Sequence, residues 1–300
     1  MRVNPNMVPD ILADLQQSQT AVNTALQEVA TGKSVTVPSD NPAAAADMVQ
    51  NTIETKDVDQ YTQNVSSMLS MVQTADSSIG SVVTSLTQAI SLGTEGANGT
   101  NNASNLQSIA EQVQGILQGV VAQANTSYQG TYLFGGTETS ATPYSASSSS
   151  SSGYTYNGNN DTNSVAVGDD MNVQVNLPGS QIFSNSSADV LGSLNSLVAA
   201  LQSGDTTQIA SATSAVSAAL KYVDQQRVFY ANAENQLNSQ ETYLQQETVN
   251  LASQQNSLVD VDEAQAATDL SQAETANSAA EAAAAKVLPE TLLNYLVPPQ

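Results

Sequence analysis

The 300-residue chain carries 28 acidic and 6 basic side chains, a formal net charge of -22, and no lysine or arginine between Lys56 and Lys221. Nucleic acid and anionic membrane surfaces, which are bound through clustered cations, are therefore excluded as natural partners. Cysteine and histidine are both absent, which removes thiol chemistry, disulfides, histidine-activated nucleophiles and most transition-metal sites.

The amino-terminal segment lacks the charged and apolar regions of a secretory signal: Arg2 is the only early cation, and Asn4, Pro5, Asn6, Pro9 and Asp10 stand where an apolar stretch would be needed. No apolar run reaches the length of a membrane span. A cysteine-free chain suits an extracellular life without disulfides, so the expectation is export by a dedicated route.

Residues 8–30 read as a first helix, with Leu12, Leu15, Val22, Leu26 and Val29 at coiled-coil positions and Gly32 as its stop. An extended segment follows and closes on Pro38-Ser39-Asp40-Asn41-Pro42, a defined joint between domains. There Asn41 is placed to cap the next helix and Pro42 to fill its first turn. The second helix carries the most regular heptads: Val58, Tyr61, Val65, Met68, Val72, Ala75, Ile79, Val82, Leu86 and Ala89 alternate three and four apart. A Gly- and Asn-rich turn at 93–102 leads to Leu106, Ile109, Val113, Ile116 and Val120, so these two helices are expected to form an antiparallel hairpin.

From Tyr128 the period shortens. Tyr154 and Tyr156, Val165 and Val167, then Val173, Val175 and Leu177 alternate between turn signals, which predicts short strands; the serine tract at 145–152 reads as a flexible loop. Helical spacing resumes near Ser187 through Val190, Leu194, Leu197, Val198 and Leu201, and breaks at Gly204-Asp205. A long helix then repeats Val216, Val223, Tyr230, Leu237, Leu244, Leu251 and Leu258 at intervals of seven, while the positions three further on are mostly Gln, Glu or Ala. So narrow a seam needs partners on several sides. An alanine-rich run at 264–285, with Leu270, ends in Leu288, Leu292, Leu293 and Leu296; so little charge in a terminal helix implies burial between subunits.

Candidate chemistry is sparse. Asp260, Asp262 and Glu263 form the densest carboxylate group and read as a solvated helical face; Asp161 among Asn157–Asn163 reads as a hairpin turn, without the ligand spacing of a calcium loop. No pocket-forming pattern points to an enzyme, and no cofactor is expected.

Met1-Arg2-Val3, Thr31-Gly32-Lys33, Pro38-Ser39-Asp40-Asn41-Pro42-Ala43-Ala44, Gly130-Thr131-Tyr132-Leu133-Phe134-Gly135-Gly136-Thr137 and Leu292-Leu293-Asn294-Tyr295-Leu296 together resemble the bacterial flagellin superfamily, in its hook–filament junction branch. The likeness covers roughly residues 1–137 and 188–296. It implies a mainly α fold: an elongated antiparallel multi-helix coiled-coil bundle formed by the amino- and carboxyl-terminal halves, with a small inserted β domain. Residues 1–40 and 258–300 would be a terminal coiled coil, disordered in the monomer; 41–130 and 187–257 the helical rod; and 131–186 an outward β domain.

The implied role is a structural adaptor, not an enzyme, exported unfolded through the flagellar type III apparatus to an extracellular hook–filament junction. Hook-associated protein 1 would lie on the hook side and flagellin on the filament side. Copies of the chain would form a helical ring, and a cytoplasmic export chaperone would hold the carboxyl helix. Filament-forming flagellin and an exported coiled-coil adhesin are the alternatives. The assembly interface is expected at Leu12, Leu15, Val22, Leu26, Val29, Leu270, Leu288, Leu292, Leu293 and Leu296.

Overall fold

The computed structural model describes the backbone of residues 7–296 and the side-chain surroundings of residues 9–286. Seven helices and eight short strands follow one another along this stretch. The chain divides into two compact units, one formed by Asp57–Glu247, the other by the residues up to Lys56 together with those from Thr248 onward.

The larger unit is built on α2 (Pro42–Gly96), α3 (Ala103–Ala124), α5 (Val190–Ser203) and α6 (Thr206–Val259). In α2 the heptad residues Val65, Val72, Ile79, Val82, Leu86 and Ala89 are fully buried. A turn links α2 to α3, and Ser78 near the middle of α2 donates to Thr126, just past the end of α3, so the hairpin is antiparallel as its short loop predicts. One position differs from the expected seam: Ile116 is half-buried, and Leu117 fills the core instead. A four-residue step from Val113 keeps the stripe on one helix face where three would have rotated it away.

Helix α6 runs antiparallel to α2, since Gln73 donates to Glu234 and Arg227 forms a bidentate pair with Asp76, its Nε and Nη2 donating at 2.9 and 2.8 Å. Val216, Val223, Tyr230, Leu237, Leu244 and Leu251 are all sealed; Leu258 is only half-buried, and Val259 takes the next core position. The polar row beside this seam has a purpose. Buried Gln240 donates to the Val167 carbonyl at 2.7 Å, docking a β-hairpin on the helix.

The insert consists of antiparallel strand pairs: β1 (Ser127–Tyr128) with β2 (Thr131–Tyr132), β3 (Tyr144–Ala146) with β4 (Tyr154–Tyr156), β5 (Ser164–Gly168) with β6 (Met171–Gln174), and β7 (Ser184–Asn185) with β8 (Ala188–Asp189). A single helical turn, α4 (Gly179–Ile182), lies between β6 and β7. Val175 and Leu177, read as strand from their alternation, lie beyond the end of β6; both are buried, and the Leu177 N–H donates to the Tyr230 hydroxyl. The serine tract is not free: it closes the β3–β4 hairpin, with Ser152 buried and donating to the Tyr154 carbonyl, and the Ser151 carbonyl accepts from Asn195 of α5. Local serine hydrogen bonds replace the apolar contacts that the composition lacks.

Leu133-Phe134-Gly135-Gly136 fastens the insert. Phe134 packs edge-on against Phe183 with ring centroids 5.2 Å apart, and its carbonyl accepts from Gly179 N–H and Tyr156 Oη. Gly136 has φ +74°, and a Cβ there would collide with Asn159. Only glycine meets both demands.

The smaller unit is organised by two joints. Helix α1 (Met7–Thr31) ends at Gly32, whose φ of +68° turns the chain, and α7 (Glu263–Leu296) begins after α6 ends. The two breaks bond to each other: Ser34 N–H donates to Val259 O at 2.7 Å and Val261 N–H to Gly32 O at 3.1 Å. From this antiparallel clasp α1 and α7 run back against one another. Asp260, Asp262 and Glu263 are accordingly not one solvated helical face. Asp260 lies in the clasp and Asp262 caps α7, accepting from the N–H of Ala264 at 2.9 Å.

Candidate assembly surfaces

The expected interface residues of α1 fall into two groups. Leu15 and Val22 are half-buried on a face that also carries Ile11, Ser18 and Ala25, with Ala25 buried. This four-three spacing is the seam toward α7. Leu12 and Leu26 lie to one side of it and are 54% and 53% exposed; Val29 continues the same spacing but is 41% exposed. On α7 the matching face is Ala266, Leu270, Ala273, Asn277, Ala280 and Ala284, so Leu270 is half-buried within its own unit. Small residues let two helices approach closely, and on α1 Ser18 and Ala25 share this frame with Ile11, Leu15 and Val22. A search for small residues at helical spacing in both terminal segments finds this frame. Helix α7 runs through Leu288, Leu292, Leu293 and Leu296, whose side chains lie outside the described residues.

The joint residues Pro38, Ser39, Asp40, Asn41 and Pro42 form a tight loop. The Asp40 carboxylate accepts from the N–H groups of Val37 at 2.9 Å and Thr36 at 3.0 Å and from the Thr36 hydroxyl. Those bonds, that of Val37 first, hold its pKa below the ordinary aspartate value. Asn41 Oδ1 accepts from Ala44 N–H at 3.1 Å and caps α2, while Pro42 opens the helix. Beside this loop an open groove of about 310 Å³ is lined by Val35, Val37, Pro38, Met48, Val49 and Ile53, with Lys56 at its rim. Val37, Val49 and Ile53 are exposed. The sequence reading of the joint did not include this groove, because its members come from a loop and from the first turns of α2, upstream of the regular heptads.

The remaining polar residues serve structure. Asn159 Oδ1 accepts from Thr137 N–H at 2.9 Å and its Nδ2 donates to Thr137 Oγ1, so the Asn157–Asn163 turn holds the Gly135-Gly136 segment. Burial pushes the pKa of Tyr144 and Tyr230 upward, and each hydroxyl is hydrogen-bonded, to Ser184 and to the Leu177 N–H respectively. Among the described residues no carboxylate group has the arrangement of a metal site.

A helical unit made from both ends of the chain, with apolar side chains left exposed on those ends, is the architecture of a self-assembling structural subunit. The sequence matches the bacterial flagellin N-terminal helical region over residues 3–139 and the bacterial flagellin C-terminal helical region over residues 213–296. The chain belongs to the bacterial flagellin family and is a structural protein of the bacterial flagellum.

No curated protein matches it by sequence. Several solved structures share the fold. A Vibrio parahaemolyticus protein described as a flagellar hook-associated protein aligns with a TM-score of 0.67 at 18% identity, covering 74% of this chain and 100% of that one. Flagellar hook-associated protein 3 of Legionella pneumophila gives 0.62 at 13% identity, with 70% and 98% covered. FlgL of Bacillus cereus gives 0.60 at 22% identity, with 69% and 99% covered.

Proposed function

We propose that the chain is hook-associated protein 3, the adaptor that joins the hook-side layer to the flagellin filament. The observation that carries the reading is the exposure of Leu12, Leu26 and Val29 on a helix that one partner, α7, covers on one side only. Apolar side chains at helical spacing on an end segment are met by neighbouring subunits in an assembly. The fold shared with hook-associated proteins over nearly their whole length supports the junction over the filament.

In this reading the partners are hook-associated protein 1 on one side, flagellin on the other and further copies in a helical ring. A cytoplasmic chaperone holds the carboxyl helix before type III export to the cell exterior. The chain acts by packing and has no catalytic role. The terminal segments, 1–40 and 258–300, order on assembly, since the α1·α7 pair buries mainly alanine and offsets little of its ordering entropy.

Negative-stain microscopy of the purified protein tests the role. An adaptor alone stays short or monomeric, whereas long filaments from the pure chain overturn the reading in favour of flagellin. Leu292→Asp is expected to leave the Asp57–Glu247 unit folded and to abolish incorporation; normal incorporation removes Leu292 from the interface. Amide exchange on the monomer is expected to be fast in 10–30 and 265–296 and slow in the larger unit, and strong protection of the terminal helices contradicts ordering on assembly.

A further inference from the structure

Two Asn-Gly pairs stand in turns: Asn98-Gly99 between α2 and α3, and Asn157-Gly158 just after β4. A glycine after asparagine leaves its peptide nitrogen unshielded by a Cβ, so that nitrogen can attack the asparagine side-chain amide. The two sites give this chemistry very different surroundings.

Asn98, Gly99 and Thr100 are all exposed. Asn98 Oδ1 accepts from the Thr100 N–H at 3.3 Å and from the Thr100 hydroxyl at 3.1 Å, an arrangement that folds the side chain forward over the Gly99 peptide. Both donors are bonded to the oxygen on which negative charge grows when Cγ becomes tetrahedral. Among the described residues the Gly99 N–H makes no hydrogen bond, and a Cβ added to Gly99 would meet nothing within 4 Å. The turn is tied weakly: Asn98 N–H donates to Glu95 O at 3.2 Å, and Asn98 O accepts from the backbone and side-chain nitrogens of Asn101 at 3.1 and 3.2 Å.

Asn157 is held instead. Its N–H donates to Pro143 O at 2.8 Å, and its Nδ2, the atom that would have to leave, donates to Thr142 O at 3.1 Å and to Ser145 Oγ at 3.0 Å. Gly158 is wedged, since a Cβ there would lie 2.5 Å from Tyr156 Oη and 2.6 Å from Gly135 O. The backbone rotation that carries the Gly158 nitrogen onto Cγ has no room.

We propose that Asn98 is a self-modifying site, at which the Gly99 nitrogen displaces the Asn98 side-chain amide. The Gly99 N–H gives its proton to hydroxide, the nitrogen bonds to Cγ, the Cγ–Nδ2 bond breaks, and Nδ2 takes a proton from water and leaves as ammonia. One water then opens the cyclic imide at either carbonyl, giving an aspartyl or an isoaspartyl linkage, with no change of oxidation state. Thr100 supplies both donors to the oxyanion. The product carries one more negative charge. In the isoaspartyl form the backbone gains a methylene, and the carbonyl that accepts from Asn101 becomes a free carboxylate. The change stays within the turn at 97–102, and the α3 seam, which begins at buried Leu106, is left packed.

The folded full chain is incubated in mildly alkaline buffer and cleaved after glutamate, and mass spectrometry follows the fragments 96–111 and 139–234, which separate Asn98 from Asn157. Conversion of amide to carboxyl is expected about tenfold faster at Asn98 than at Asn157, and faster still as the pH rises. In urea both sites are expected to react alike, because both are Asn-Gly. Equal rates in the folded chain, a faster Asn157, or an inert Asn98 over a period in which the unfolded chain reacts overturns the proposal. Thr100→Val keeps the N–H donor and removes the hydroxyl, and is expected to slow the reaction about fivefold; an unchanged rate removes the hydroxyl from the step. Gly99→Ala has space for its Cβ and is expected to suppress the reaction with helix content unchanged. An undiminished rate in that variant overturns attack by the residue 99 nitrogen.

Discussion

In the Asp57–Glu247 unit most seam residues of α2, α3 and α6 are sealed from solvent, with Tyr61, Met68 and Ile116 half-buried, and the exposed large apolar side chains are Met171, Val228 and Tyr243. The smaller unit, among its described residues, leaves Leu12, Leu26, Val29, Val37, Val49, Ile53 and Val249 in water. Both are drawn from the same kind of amphipathic helix. What differs is the number of neighbours: α3, α5 and a docked insert surround α2 and α6 in one, whereas α1 and α7 have mainly each other in the other. Burial that a single chain completes gives stability, and burial that it leaves open is available for association.

The largest expected effects break this contrast directly. Leu237→Ala removes a fully buried side chain and is expected to cost about 2–5 kcal/mol in equilibrium urea unfolding, while Leu26→Ala, half-exposed, stays within about 0.5 kcal/mol in the monomer. Equal losses at the two sites contradict the division of labour. Gly136→Ala forces a side chain into a positive-φ position against Asn159 and is expected to cost about 3 kcal/mol, read as early loss of the insert's aromatic signal in near-ultraviolet dichroism.

Smaller effects probe the joint. Asn41→Ala leaves the Ala44 N–H without its cap and is expected to cost about 1 kcal/mol, with exchange rising first at the start of α2. Asp40 has a native pKa below its unfolded value, near 3.9, so its contribution is complete above that pH and is lost as the pH falls through the native value. Amide shifts of Thr36 and Val37 are expected to titrate together with a midpoint below about 3.9. A midpoint at the ordinary aspartate value contradicts the loop geometry.

Much of the larger unit was legible because heptads repeat over many turns and every three-four step reports the same buried face. The departures were local. Leu117 replaced Ile116 and Val259 replaced Leu258, since adjacent apolar residues satisfy a sequence pattern equally and only the neighbouring helix chooses between them. The serine tract looked unstructured because its order comes from hydrogen bonds to α5 and within the hairpin, which have no hydrophobic signature.

At the terminal helices the largest apolar residues were the natural candidates for one interface, yet the structure divides them: Leu15, Val22 and Leu270 are half-buried in the α1·α7 seam, and Leu12, Leu26 and Val29 stay exposed. Alanine decided the seam, and alanine is ambiguous in sequence, being a good helix former on any face.

The sequence by itself determined the helical class, the extent of the long helices, the capped joint at Asn41-Pro42 and the lack of redox or histidine chemistry, because these follow from local periodicity and residue inventory. Tertiary structure alone decided the clasp between 32–34 and 259–261, the docking of β5 on Gln240 and the groove at Val37, Val49 and Ile53. Each brings together residues distant in the chain or carried on irregular loops, where no period exists for a sequence to display.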